Sequence, residues 1–131
     1  MIYLDTSAMV KLVVREAESD ALARWLNDRL DENLVTSTIG RIELLRAAGR
    51  VSSSVVTRAR SFLSTVDAMS LTPAIAGLAE TIGAPALRTL DALHLAAVYT
   101  LGPAVTTFVV YDQRLAESAI DLSIPVAAPG I

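Results

Sequence analysis

The sequence predicts an α/β protein: a three-layer α/β/α sandwich around a central parallel sheet, in a single domain of residues 1–131. Short apolar segments alternate along the chain with longer segments whose apolar residues recur at helical spacing. Such alternation in one short chain implies a parallel sheet with helices on both faces. The β-branched run VTTFVV at 105–110 fits a strand buried within that sheet. A length of 131 residues suits one domain with a substantial core.

In the first half of the chain, helices are predicted from apolar spacing and from the residues that start or stop them. Thr6 and Ser7 follow the first strand and can cap the next helix, and Gly49 stands where a helix would end. The second helix is expected to pack through Leu22, Trp25, Leu26 and Leu30. The predicted elements are strands at 2–4 and 34–37 and helices at 8–14, 17–30, 38–48 and 52–63.

Proline and glycine delimit the elements of the second half. Pro73 suits a first helical turn, and Gly83 and Gly102 each follow a segment of helical spacing. The last apolar segment lies between prolines in IPVAAP, which restricts it to an edge strand. The predicted elements are strands at 66–71, 105–110 and 123–127 and helices at 73–82, 89–101 and 114–120.

The composition limits the class of protein. It is 53% hydrophobic and 19% charged, which is globular rather than disordered. No apolar run reaches the roughly 18 residues of a membrane span, and no secretion signal is recognisable. The cysteine count of 0 excludes disulfides and thiolate metal sites. We therefore expect a cytoplasmic protein that does not associate with membranes.

Charge is distributed unevenly. The net charge of −3 argues against a protein whose main task is to coat nucleic acid. Residues 41–60 nevertheless contain five arginines and only one acid, whereas residues 16–32 contain six acids and two arginines. The arginine-rich segment is either an ordinary solvated helix face or a surface for a nucleic acid, and the charge pattern leaves both readings open.

Four acidic residues, Asp5, Glu43, Asp91 and Asp112, follow predicted strands or lie near the starts of predicted helices. Ligands of an open parallel sheet bind beyond the carboxyl ends of its strands, near the point where strand order reverses. Each acid is expected to lie against core residues, and anions buried together are costly unless a cation joins them. The cluster therefore predicts a bound divalent metal ion.

Each acid also has a simpler structural interpretation. Asp5 and Asp91 can be helix caps, and Asp112 can begin a turn. Glu43 can pair with Arg46 on a helix surface. Each interpretation is reasonable for one residue. Together they would also have to explain why four acids lie at strand or helix ends that the same crevice could receive.

The chain resembles PIN-domain ribonucleases, and more closely the VapC toxins of bacterial VapBC toxin–antitoxin pairs. The matching segments are MIYLDTSAMVKL, STIGRIELLRA from Ser37, LRTLDALHLAA from Leu87, VVYDQRLAESA from Val109 and the ending IPVAAPG. They span the whole chain in the family's order, and the ordered set is far more specific than any one segment.

The resemblance implies metal-dependent RNA cleavage by an activated water, with Asp5, Glu43, Asp91 and Asp112 as the catalytic acids. It implies Mg²⁺ or Mn²⁺ on Asp5, Asp91 and Asp112, a homodimer, and a VapB-type antitoxin that blocks the site. Candidates for contacts with a carboxylate or with RNA are Thr6, Ser7, Arg46, Arg88 and Arg114. Candidates for contacts with a partner are Leu44, Val55, Val56 and Phe62, although a place in the core is expected first for these four.

Two other functions would need residues that this sequence lacks. A receiver-like phosphoacceptor would need a lysine near the end of a late strand, and the sole lysine, Lys11, lies in the first predicted helix. A DxDxT phosphatase would need an acid where Ser7 stands. His94, the only histidine, is expected in the core or beside a carboxylate rather than as a catalytic base. A non-catalytic PIN-like interaction module and a stand-alone RNA-processing nuclease remain alternatives.

Overall fold

The computed structural model describes residues 1–131 and contains one sheet of five parallel strands. The strands are β1 (Ile2–Leu4), β2 (Leu34–Ser37), β3 (Asp67–Met69), β4 (Thr107–Val109) and β5 (Val126–Ala127). Their order across the sheet is β3-β2-β1-β4-β5. Strand order therefore reverses between β1 and β4, which is where an open parallel sheet forms a crevice for ligands.

Seven helices connect the strands. They are α1 (Thr6–Val13), α2 (Ser19–Asn27), α3 (Thr38–Gly49), α4 (Ser53–Leu63), α5 (Pro73–Ala79), α6 (Thr89–Leu101) and α7 (Gln113–Asp121), and a 3₁₀ turn spans Gly102–Ala104. None of these helices has the length and apolar character that crossing a membrane requires.

Two hydrophobic clusters lie on opposite faces of the sheet. Side chains alternate between the faces along a strand, so Ile2 and Leu4 join the cluster beneath α1–α4, whereas Tyr3 joins the cluster beneath α6 and α7. Helix, sheet and helix thus form three layers, which confirms the predicted fold class. The four apolar residues considered for partner contacts belong instead to the hydrophobic cluster beneath α1–α4. Leu44 and Val55 are buried in this cluster, and Val56 and Phe62 pack against it.

Several predicted boundaries were too long. The largest error is the second helix, predicted at 17–30 and observed at Ser19–Asn27. The backbone N–H of Asp28 turns back to the carbonyls of Arg24 and Leu26, which closes the helix. Leu30 is consequently 81% exposed instead of packed, while Leu22 is buried as predicted. Strands predicted at 105–110 and 123–127 shrink to three and two residues, because only two residue pairs of β4 and β5 are in register, although single backbone hydrogen bonds such as Val110 N–H to the carbonyl of Ala127 extend beyond them.

Candidate active site

Asp5 is both a helix cap and a buried carboxylate at the end of β1. Its Oδ1 accepts hydrogen bonds from the backbone N–H of Ala8 at 3.0 Å and from the hydroxyl of Ser7 at 2.6 Å. The residue is only 4% exposed. Burial disfavours the ionised form and raises the pKa of Asp5 to about 6, although the bonds from Ser7 and Ala8 oppose that rise.

The side chain of Ser7 links the segments that follow β1 and β4, the two strands between which the strand order reverses. While its hydroxyl donates to Asp5, the same oxygen accepts the backbone N–H of Tyr111 at 3.1 Å. Tyr111 lies in the loop between β4 and α7, directly before Asp112. The Ser7 side chain therefore fixes the loop that carries Asp112 against the start of α1.

Asp91 and Asp112 line one open cleft of about 470 Å³. Asp112 is the N-cap of α7, where its Oδ1 accepts the backbone N–H of Leu115 at 2.9 Å. Its side chain is exposed to solvent, so the expectation that all four acids lie against core residues was wrong for this one. The reason is its position: as the cap of α7, beyond the carboxyl end of β4, it stands past the end of the core.

Arg88 and Arg114 line the same cleft as Asp91 and Asp112, together with Glu117. Both arginines are exposed and form no salt bridge, so their guanidinium groups are available to an anionic ligand. Arg46, by contrast, is exposed on α3 outside this cleft and does not pair with Glu43.

Asp91 is the electrostatic centre of the acidic group. Burial raises its pKa first, and the negative charges of Asp112 and Glu43 raise it further. The charge of Asp91 in turn contributes to the raised pKa of Asp5. The carboxylates are therefore close enough to repel one another, as like charges in a shared site do.

Glu43 is held by side chains from two other elements. Its Oε1 receives the hydroxyl of Thr6 at 2.7 Å and lies 2.7 Å from Nε2 of His94. Burial opposes ionisation of Glu43, but the hydrogen bonds from His94 and Thr6 outweigh it and lower the pKa. The simpler alternative, a surface pair with Arg46, is not formed, because Glu43 turns instead to Thr6 and His94.

The donor chemistry of this site fits a hard divalent cation. No lysine or arginine lies within ion-pair distance of Asp5, Asp91 or Asp112, so no salt bridge neutralises them, and the charge of Arg88 offsets only part of the repulsion at Asp91. As the side chains stand, no three acids or histidines surround a single point closely enough to hold an ion. Mg²⁺ commonly binds through one or two carboxylates and keeps several waters, so a cleft with Asp91 and Asp112 meets its needs.

Sequence reasoning missed two residues of this region. Tyr3 lies in the centre of β1 and its hydroxyl is 2.9 Å from Nδ1 of His94. A tyrosine in the otherwise aliphatic segment IYL was the available signal, since a buried tyrosine needs a hydrogen-bond partner. Glu117, exposed one helical turn after Gln113, also lines the cleft.

Comparisons with known proteins agree with this architecture. The sequence model of the PIN domain matches residues 2–120. Ribonuclease VapC47 of Mycobacterium tuberculosis is 44% identical over 133 residues, covering 99% of this chain and 98% of the relative. Ribonuclease VapC35 of the same organism is 46% identical over 132 residues, with coverage of 99% and 98%.

Solved structures of low sequence identity share the fold. FitAcB from Neisseria gonorrhoeae superposes with a TM-score of 0.76 at 16% identity, covering 98% of each chain. Mycobacterium tuberculosis VapC20, described as a sarcin-ricin loop cleaving toxin, gives a TM-score of 0.72 at 16% identity, covering 90% of this chain and 95% of its own. With its motifs in order and relatives above 40% identity over nearly their full length, the chain belongs to the PIN-domain family and, within it, to the VapC type.

Proposed function

We propose that this protein is a metal-dependent endoribonuclease toxin that cuts RNA phosphodiester bonds and is inhibited by a cognate VapB-type antitoxin. The observation that carries the proposal is the acidic group at the reversal point of the sheet, which has no lysine or arginine partner. Its relatives of 44% and 46% identity are named as ribonucleases.

Asp5, Asp91 and Asp112 would hold the metal, with Mg²⁺ or Mn²⁺ as the ion. Such an ion supplies a Lewis acid that lowers the pKa of a bound water and stabilises charge on a phosphate. Glu43 keeps one carboxylate oxygen free of hydrogen bonds and would orient the attacking water. Arg88 and Arg114, which line the same cleft as Asp91 and Asp112, would bind the phosphates of the RNA strand.

The test is cleavage of total cellular RNA by the purified protein, with Mg²⁺ or Mn²⁺ and with EDTA. We expect discrete fragments that require the metal. Asp91→Asn should slow cleavage by on the order of a hundredfold or more, the scale on which loss of one group that stabilises the transition state acts. Asp31→Asn is the matched control, because Asp31 is exposed and distant in sequence from every site residue.

Equal cleavage by wild type and Asp91→Asn would overturn the proposed site. Cleavage that persists in EDTA would overturn the role of the metal. A folded wild-type protein that leaves every RNA intact would favour the non-catalytic interaction module.

We further propose a small antitoxin protein as the partner and a homodimer as the free form. Solved complexes with the same fold include a toxin–antitoxin complex from Klebsiella pneumoniae, at a TM-score of 0.70. Induction of this chain alone in a bacterium should arrest growth, and co-expression of its antitoxin, whose gene we expect beside this one, should restore it. Arrest by Asp91→Asn at equal expression would show that toxicity does not come from cleavage, and growth without arrest would argue for a stand-alone RNA-processing nuclease.

A further inference from the structure

A continuous chain of side-chain hydrogen bonds runs from the core to the acidic site. It begins at the hydroxyl of Tyr3, which lies 2.9 Å from Nδ1 of His94. It continues from Nε2 of His94 to Oε1 of Glu43 at 2.7 Å, where the hydroxyl of Thr6 also donates at 2.7 Å. The chain joins β1, α6, α3 and the first residue of α1.

The direction of the middle hydrogen bond follows from the chemistry of its acceptor. An ionised carboxylate oxygen can only accept, so the proton between His94 and Glu43 is carried by Nε2. His94 is 1% exposed, so bulk solvent does not compete with either partner. Nδ1 of His94 lies 2.9 Å from the Tyr3 hydroxyl, which can donate to an unprotonated Nδ1 or accept from a protonated one, so in either case this contact leaves Nε2 to donate to Glu43.

The imidazole ring is also confined by packing. Its plane stands at 84° to the Tyr3 ring, with the ring centroids 5.9 Å apart. Tyr3 is held in turn by Phe108, with centroids 5.5 Å apart. On the other side lies the backbone of α3, where a methyl group added at Gly40 would stand 3.2 Å from Cε1 of His94. The ring therefore has one orientation in which Nε2 faces Glu43.

Two donors thus occupy Oε1 of Glu43, and Oε2 makes no hydrogen bond with the protein. We propose that His94 is a positioning residue that, with Tyr3 behind it, holds Glu43 in one rotamer with Oε2 turned to the reacting water. The inference rests on the proposed ribonuclease activity for its kinetic consequence, but not for the hydrogen bonds themselves.

The kinetic test compares two substitutions of His94 in two backgrounds. His94→Leu removes the donor and should lower kcat about tenfold to a hundredfold with little change in KM, the usual cost of losing a group that orients a site carboxylate. His94→Gln keeps an N–H donor on a side chain of similar reach and should recover much of that loss. In the Glu43→Gln background, His94→Leu should cause almost no further fall.

A purely structural role for His94 predicts a different pattern. His94→Leu would then lower activity by the same factor in both backgrounds, and His94→Gln would fail to recover it. The activity of each variant would follow its fraction of folded protein, measured by thermal unfolding. Either result would overturn the proposal.

A readout that does not need activity is the ¹⁵N–¹H NMR signal of the imidazole. In wild type we expect an Nε2–H signal that exchanges slowly with water. Glu43→Leu, which offers no acceptor, should shift that signal and speed its exchange, whereas Asp31→Asn should leave it unchanged. An unchanged signal in Glu43→Leu would overturn the proposal even if the protein cleaves RNA. If the metal-loaded protein cleaves no RNA, the ribonuclease proposal fails. The NMR measurement still decides whether His94 donates its Nε2–H to Glu43.

Discussion

At the scale of single residues, Asp5 combines a stabilising and a destabilising role. As the cap of α1 it satisfies a free backbone N–H, which contributes about 1 kcal/mol in typical helices. As a buried carboxylate it prefers to be protonated, so its pKa in the folded protein is about 6 against an ordinary 3.8. Folding of the metal-free protein is therefore opposed by the ionised form, and its stability falls as the pH rises from about 4 to about 6.

Asp5→Asn is expected to make the metal-free protein more stable at neutral pH. Asparagine keeps the capping oxygen and loses the buried charge, which at pH 7 costs up to about 3 kcal/mol. Urea unfolding in EDTA should show a gain of about 1 to 3 kcal/mol over wild type, which disappears as the pH falls below about 4. Asp31→Asn, at an exposed position, should change stability little at any pH. A variant less stable than wild type at neutral pH would contradict this account of Asp5.

The acids could be predicted from the sequence because each follows a strand or lies near the start of a helix, positions that a parallel fold brings together. The hydrogen-bonded chain behind Glu43 could not. Tyr3, His94 and Glu43 are separated by as many as 91 residues, and only the folded chain, in which α3 contacts α6, joins them. Exposure was also misjudged for Asp112, since the sequence shows which residue follows a strand but not how far the core extends beyond it.

At the scale of secondary-structure elements, α3 carries two glycines in opposite environments. A methyl group at Gly40 would collide with the hydroxyl of Thr36 and stand 3.1 Å from Cε of Met9, because this turn of the helix lies directly on the sheet. A methyl group at Gly49 would meet nothing within 4 Å. The close approach at Gly40 is what brings Glu43, one turn later, to His94.

Gly40→Ala and Gly49→Ala are therefore expected to act in opposite directions. Overpacking at Gly40 should cost about 1 to 3 kcal/mol of unfolding free energy and displace Glu43. Alanine at Gly49 should add about 0.5 to 1 kcal/mol, since glycine within a helix loses more backbone entropy on folding. Thermal or urea unfolding of the two variants beside wild type checks both signs. Equal effects of the two substitutions would show that α3 does not lie against the sheet as described.

The elements themselves were predictable in kind and order, because each has a strong local signal: β-branched runs for the strands, and capping residues and proline for the helices. Their ends were not. Ser37, Ser52 and Thr72 cap their helices through side-chain oxygens, which sets three starts within the sequence. The length of a strand is set instead by how far its neighbour pairs with it, as in β5, where only two residues pair with β4. That information lies in another part of the chain.

At the scale of the whole molecule, the strand order explains why the site lies where it does. β1 and β4 are adjacent in the sheet although more than one hundred residues separate them, and their register pairs Leu4 with Val109. Asp5 and the loop to Asp112 thus leave the sheet side by side. The acidic side chains near this point repel one another. The folded, metal-free protein therefore contains an unfavourable electrostatic interaction that the unfolded chain lacks.

A divalent ion that binds this group should stabilise the folded protein, because the unfolded chain has no such site. Free ion at about one hundred times its dissociation constant would add about 2.7 kcal/mol to the unfolding free energy. The ligands must be ionised to bind, and the pKa values of Asp5, about 6, and Asp91 are both raised. The gain from MgCl₂ or MnCl₂ should therefore grow as the pH rises through about 6, and should be small at acidic pH.

Thermal unfolding against NaCl at matched ionic strength separates binding from screening of the exposed charges, and Asp91→Asn should lose most of the gain. An equal rise with NaCl, or a gain that does not depend on pH, would show that the carboxylates at the reversal point of the sheet do not bind the ion.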